Sequence, residues 1–371
     1  MAKKKTALTA ICAGTVLIGL VTAGGTAANA KARTPGPPTG VREALQEAVA
    51  AGNPAVLSYV RTGTRSWHLA AGIADLAAGR PAQPDDHWRI FSNTKSFVST
   101  VLLQLVGERR LSLDDSVERW LPGMLDGRKV SVRQLLNHTS GIYNPDNGTD
   151  RGGQQPRDVI AAALAHPPLS EPGQQWAYSD TNYLLAGLVI EAVTHHRADQ
   201  EIRRRIIVPL GLSHTSFPLD DPAIPGPYLH GYDMSGRDVT GFNPSGEWTA
   251  GAMVSTTADL ARFDSALFRG RLLRPAQQRE LLTTALDSDY GLGVQRLTIP
   301  CEDNEVTVWE TDGSGPGFTS LSMTTADATR QFVLVATVFD LGRGQRKNPA
   351  ELPFPDARPA YTTLITSVLC P

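Results

Sequence analysis

Trp88-Arg89-Ile90-Phe91-Ser92-Asn93-Thr94-Lys95-Ser96-Phe97 is the stretch on which the fold turns. It reads as a strand-to-helix switch. From Ser92 onward, through SFVSTVLLQLVGERRL (96–111), apolar residues recur at Phe97, Val101, Leu102 and Leu105, the spacing of a helix. Ser92 and Lys95 stand three apart, so a helix places both on one face with the amine in reach of the hydroxyl. A serine is a poor nucleophile until a base takes its proton, and a desolvated lysine can be that base. Free N–H groups at the helix start can help to hold an oxyanion. S-x-x-K also arises by chance, and a plain N-cap serine accounts for it as well. Its meaning depends on partners elsewhere.

Two partners present themselves. Tyr178-Ser179-Asp180 precedes the helical run NYLLAGLVIEAV (182–193). A tyrosine held near a lysine can relay a proton to a leaving group, although Tyr178 as a packing residue, with Asp180 or Thr181 as a cap, fits too. Thr311-Asp312-Gly313-Ser314 lies between the strand-like runs EVTVWE (305–310) and FTSLSMTT (318–325). Gly313 would let a substrate approach the backbone closely, and an edge strand there could pair with a peptide-like substrate. A hairpin turn explains DGSGPG equally.

Working outward, VREALQEAVAAG (41–52) is amphipathic. AVLSYVRTG (55–63) and SWHLAAGIADL (66–76) then alternate as a strand hairpin. From about Leu111 to Arg205 the pattern is helical and loop-rich. TTADLARFDSALFRG (256–270) predicts a further helix, EVTVWE, FTSLSMTT and QFVLVATVF (331–339) are strand-like, and YTTLITSVL (361–369) closes as a helix. Strands at both ends and helices in the middle favour an antiparallel sheet with flanking helices and an inserted helical lobe, at roughly 105–245. The expected class is α/β (α+β), with the site between the lobes.

Residues 1–30 have the form of a signal peptide: Lys3, Lys4 and Lys5, an apolar run, and Ala28-Asn29-Ala30 as a cleavage site. The expected mature chain, 31–371, is therefore secreted, carries no membrane anchor, and has a net charge of −5 against −2 for the whole. No dense basic stripe remains, which argues against a nucleic-acid partner. Once Cys12 is removed, Cys301 and Cys370 read as one disulfide of an exported protein, with two free thiols as the alternative. There is no G-x-S-x-G elbow and no H-E-x-x-H; His195 and His196 are adjacent and diverge on a helix. His138 reads as structural. No metal or organic cofactor is expected; the expected partner is a small-molecule or short-peptide substrate (a D-alanyl peptide, a beta-lactam or an ester), and the protein is expected to be a monomer.

Taken together, WRIFSNTKSF (88–97), LSLDDSVERWLPG (111–123), VRQLLNHTSGI (132–142), QQWAYSDTNYLLAGLVIE (174–191), PLGLSHTSF (209–217), AGAMVSTTADLARF (250–263) and YGLGVQR (290–296) resemble, in order, the serine beta-lactamase and penicillin-binding protein superfamily. The chain looks most like soluble extracellular D-alanyl-D-alanine carboxypeptidases and class C beta-lactamase-like esterases. That resemblance implies a five-stranded antiparallel sheet, Ser92 as nucleophile, Lys95 as its base or proton partner, and Tyr178 as proton relay. It implies an oxyanion hole from the N–H groups of Ser92 and Ser314, and an aromatic, Trp248, at the cleft. It also implies a Cys301–Cys370 disulfide. Asp180 falls where the family often has a substrate-binding asparagine. The third motif departs from the pattern: Thr311-Asp312-Gly313 replaces Lys or His, Thr, Gly. An anion thus stands where a substrate carboxylate would bind. Like charges about 4 Å apart cost on the order of 1 kcal/mol in water and several in a less polar setting. Arg296 is the nearest cation in sequence that could compensate. The resemblance therefore implies a D-alanyl carboxypeptidase-like enzyme, an esterase or amidase on substrates without a carboxylate, or a slowly acylating penicillin-binding or sensory protein.

Overall fold

The computed structural model describes residues 36–145, 153–233, 235–338 and 358–370. The expected signal peptide lies outside them. The hairpin β1 (Ala55–Thr62) and β2 (Arg65–Asp75) turns at Gly63, whose φ of +59° suits a residue without a Cβ. Beyond β2 lies β3 (Arg80–Pro81). A separate two-strand ribbon pairs β4 (Trp88–Arg89) with β5 (Val254–Ser255). The C-terminal part supplies β6 (Gln295–Pro300), β7 (Glu305–Gly315), β8 (Phe318–Thr325) and β9 (Arg330–Ala336). The main sheet runs β3-β2-β1-β9-β8-β7-β6 with antiparallel pairs throughout.

Among the described residues seven strands form this sheet instead of the expected five. The five legible in the sequence are β1, β2, β7, β8 and β9. The two additions are edges: β3 is two residues long, and β6 keeps mostly half-exposed or exposed side chains, so neither carries enough apolar residues to show.

Alternation sorts the sheet's side chains into two layers. Val56, Val60, Phe332, Leu334, Leu321 and Met323 pack under the helices Val41–Ala50 and Arg358–Leu369. Leu57, Val333, Val335, Trp309 and Phe318 turn the other way, into the larger core. That core surrounds the helix Thr94–Gly107, on which Phe97, Val101, Leu102 and Leu105 are all buried. Phe97 stacks on Phe263 of the helix Thr257–Phe268, with ring centroids 3.6 Å apart.

The middle of the chain gives the helices Val132–Leu136, Pro156–Leu164 and Asp180–Thr194. Between Leu210 and Trp248 the described residues form neither helix nor strand element. Cys301 and Cys370 form a disulfide that ties the end of β6 to the end of the last helix. Among the described residues no helix is long and apolar enough to cross a membrane.

Candidate active site

Ser92 sits in the single turn Phe91–Asn93 that leads into the helix Thr94–Gly107. The turn is tight: buried Phe91 has φ +41°, a region that costs a residue with a Cβ roughly 1–3 kcal/mol and persists only where its surroundings enforce it. Asn93 supplies that enforcement. Its amide donates to the Ile90 carbonyl at 2.8 Å and to Ser320 Oγ on β8 at 3.0 Å, pinning the turn to the sheet.

Three elements converge on the Ser92 hydroxyl. Lys95 Nζ, one turn along the helix, donates to Ser92 Oγ at 3.0 Å. Tyr178, just ahead of the helix Asp180–Thr194, places its hydroxyl 2.8 Å from the same oxygen. The lysine is 1% exposed, and its remaining donors go to Asp180 Oδ1 at 2.7 Å and the Ala250 carbonyl at 2.9 Å. All three ammonium donors are thus used. Burial pushes the Tyr178 phenol well above its ordinary range, and the charges of Asp180 and Asp312 push it further. The hydroxyl therefore keeps its proton at neutral pH.

His138 anchors the tyrosine from behind. It is fully buried, with φ +59°, and its ring lies 4.4 Å from the Tyr178 ring. Its Nδ1 accepts from the Ser179 N–H at 3.2 Å, which fixes it as a neutral acceptor. Burial, reinforced by the Lys95 charge, holds its pKa down at about 3. Trp176 and Tyr290 complete this aromatic group, 5.9 Å apart, with Trp176 40% exposed. Neither was legible as a site residue. Trp176 sits inside the tyrosine motif and reads as part of its loop, and Tyr290 comes close only through the fold.

The third motif lies on β7, and Gly313 explains how near it comes. A Cβ there would stand 2.1 Å from the Ile90 carbonyl oxygen and 2.6 Å from Asn93 Nδ2. The strand is thus pressed onto the turn that carries Ser92. Gly313→Ala should force the two apart, at a cost of about 1–3 kcal/mol. Because a misplacement near 1 Å costs about a hundredfold in rate, activity should fall that far; a thermal melt and a rate measurement together check it. Thr311 turns inward, its hydroxyl 3.4 Å from Asp264 Oδ2, a buried carboxyl that desolvation raises to about 7. Asp312 and Ser314 are exposed, and β6 covers β7 only as far as Glu310.

Three expected roles meet a different arrangement. Asp180 is buried and occupied by Lys95, so it holds the lysine instead of facing a substrate amide. Trp248 is 7% exposed, with its ring packed toward Gly187; its short helix contributes to the site through the Ala250 carbonyl. Arg296 does not compensate Asp312. It lies on the outer strand β6 opposite Trp309, and its guanidinium pairs with Asp289 at 2.8 Å.

A family model described as Beta-lactamase matches residues 41–352. The chain belongs to the Beta-lactamase family. Among solved structures it is similar to a D-stereospecific amidohydrolase from Streptomyces sp., at 38% identity and a TM-score of 0.74, covering 81% of this chain and 94% of that one. It is also similar to D-amino acid amidase from Ochrobactrum anthropi SV3, at 25% identity and a TM-score of 0.77, covering 88% and 97%. Among curated proteins, penicillin-binding protein 4* of Bacillus subtilis (strain 168) is 26% identical over 73% of this chain and 65% of its own length. The chain spans 39% to 65% of the length of the first three curated relatives it matches. It is thus a Beta-lactamase family member with amidases among its structural neighbours.

Proposed function

We propose that the chain is a serine amidohydrolase that cleaves amides of D-amino-acid type through an acyl-enzyme on Ser92, with acyl donors that carry no free carboxylate. The observation that carries this reading is the Ser92 hydroxyl held at once by Lys95 and Tyr178. Since Lys95 donates to Ser92 Oγ, the serine's own proton is left to point at the tyrosine oxygen. Tyr178 is a neutral phenol, so it acts as a relay: it accepts the Ser92 proton while passing its own to the departing nitrogen. Ser92 Oγ bonds to the carbonyl carbon, the C–N bond breaks, and the amine leaves neutral. The lysine charge steadies the alkoxide as it forms, and the N–H groups of Ser92 and Ser314 are the proposed oxyanion donors. Water then reverses the relay to free the acid.

Likeness to an enzyme named a D-stereospecific amidohydrolase and to one named a D-amino acid amidase supports the stereochemical class. The anion at Asp312 supports the missing carboxylate. A D-alanyl-D-alanine carboxypeptidase is the second reading, favoured by the relative named as a penicillin-binding protein. The Cys301–Cys370 disulfide supports an exported enzyme working outside the reducing cytosol.

Intact-mass analysis with D-phenylalanine amide, a peptide ending in D-Ala-D-Ala and a p-nitrophenyl ester tests this. Ammonia release from the amide with no D-alanine release is the expected result. D-alanine release without amide turnover would move the assignment to the carboxypeptidase, and turnover of nothing would overturn both.

A further inference from the structure

Five large apolar side chains are exposed among the described residues, and three of them, Leu169, Trp176 and Leu286, stand on segments that surround Tyr178. Trp176 precedes the tyrosine by two residues and is 40% exposed. Leu169 is fastened through its N–H to the Gly141 carbonyl, in the loop that begins at His138. Leu286 stands on the turn that the Ala285 N–H closes onto the Tyr290 carbonyl. Apolar side chains scattered singly over a surface mean little. A concentration of them beside the half-buried Ser92 and Tyr178 marks where a ligand lies.

The rings show which part of the ligand that is. Tyr290 lies 4.8 Å from His138 and 5.9 Å from Trp176, while His138 lies 4.4 Å from Tyr178 and meets Trp176 edge-on at 6.3 Å. The segment that carries Tyr290 is pressed onto the nucleophile's helix. A Cβ at Gly293 would stand 2.5 Å from Ser99 Oγ and 3.2 Å from the Lys95 carbonyl oxygen. Buried Tyr290 is thus the inner wall, and Trp176 the outer rim, of one aromatic surface that continues from the relay tyrosine. To protonate the departing nitrogen, the Tyr178 hydroxyl has to lie within a hydrogen bond of it. The substituent on that nitrogen therefore starts at Tyr178 and runs over the surface beside it. Charge points the same way. Lys95 has spent its donors on Ser92, Asp180 and Ala250, and Arg296 is bound to Asp289, the residue before Tyr290. Neither is free to meet a carboxylate on the leaving group.

We infer that Trp176 and Tyr290 form a leaving-group subsite for an uncharged aromatic substituent on the departing amine, so that the preferred substrates are secondary amides of D-amino acids with arylalkyl amines. This rests on the amidohydrolase reading and names the half of the substrate that is released. The subsite acts only on the first step. Ser92 Oγ bonds to the carbonyl carbon, the C–N bond breaks, and the amine leaves with the proton that Tyr178 supplies. A ring seated on Trp176 holds the nitrogen within reach of that proton while the bond breaks. Deacylation by water is the same whatever amine has left.

Three amides separate the leaving group from the acyl side chain: D-phenylalanine benzylamide, D-phenylalanine methylamide and D-alanine methylamide. The benzylamide should exceed D-phenylalanine methylamide in kcat/KM by about tenfold or more, the gain from seating one ring against an aromatic partner. Trp176→Ala, its fold checked by circular dichroism, should bring that ratio to within about threefold of unity, and Trp176→Phe should keep part of it. The ratio between the two methylamides, which differ only in the acyl side chain, should not respond. Equal use of benzylamide and methylamide, a ratio that survives Trp176→Ala, or a response in the acyl ratio instead overturns the inference. Calorimetry on Ser92→Ala protein, with and without Trp176→Ala, reads the same preference without turnover. The two readings fail differently. A Trp176-dependent preference in binding, with no turnover by the wild type, keeps the subsite and removes the amidohydrolase. Turnover of both D-phenylalanine amides at one rate keeps the hydrolase and removes the subsite. Neither binding nor turnover of any of the three removes both.

Discussion

Replacing Ser92 with Ala is expected to lower kcat on any accepted amide or ester by about ten-thousandfold or more, since groups that act as one nucleophilic unit fail together when the nucleophile is lost. The melting temperature should stay close to that of the wild type. Ser92 is only half-buried, and the two hydrogen bonds it makes are to groups with other support: Lys95 keeps Asp180 and Ala250, and Tyr178 keeps its packing on His138. An acyl adduct seen by mass on the wild type should vanish in the variant. Tyr178→Phe should be less severe on an ester than on an amide, because an alkoxide leaves with less need of a proton than an amine does. Activity of Ser92→Ala within about tenfold of the wild type would remove the nucleophile assignment and the relay built on it.

The second large effect is on stability. Asp180→Ala should destabilise the protein by about 3–5 kcal/mol, the usual cost of leaving one member of a buried ion pair behind. Lys95 and Asp180 meet at 2.7 Å with side chains only 2% and 5% exposed. Without the carboxylate the ammonium keeps two neutral acceptors and no countercharge. Asp180→Asn restores an acceptor of the same shape and should recover part of the loss. Lys95→Met combined with Asp180→Leu removes both charges, and should be more stable than Asp180→Ala while having no activity. Urea denaturation of the set checks this, and a double variant no more stable than Asp180→Ala would show that packing, not charge, is the source of the loss.

Most of the frame was legible because it is written in short-range signals. The five strands read from the sequence are those whose apolar residues alternate or run unbroken, and the Ser92–Lys95 spacing needs only helix geometry. What escaped depends on contacts between distant segments. Tyr290 reaches His138 only through folding across some 150 residues of chain. Asp180 was read by the family's pattern as a substrate ligand; its carboxylate instead has the stronger attraction of a buried ammonium beside it. Arg296 shows the same error. Its strand does run close to the third motif, with Arg296 opposite Trp309, but the guanidinium is held by Asp289.

The order of the sheet has a consequence for how the chain comes to be folded. Its central seam joins β1 to β9, and the Ala55 N–H bonds to the Thr337 hydroxyl across 282 residues. A ribosome delivers β1 long before β9. Until then one edge of the hairpin is bare, a template for pairing with any other chain in the same condition. The rate at which the native state forms is then set by a search over almost the whole length and not by the quick local helices of the middle. The central seam of the sheet therefore closes only once β9 has been made, and the strand that completes β1 is among the last parts of the chain to arrive.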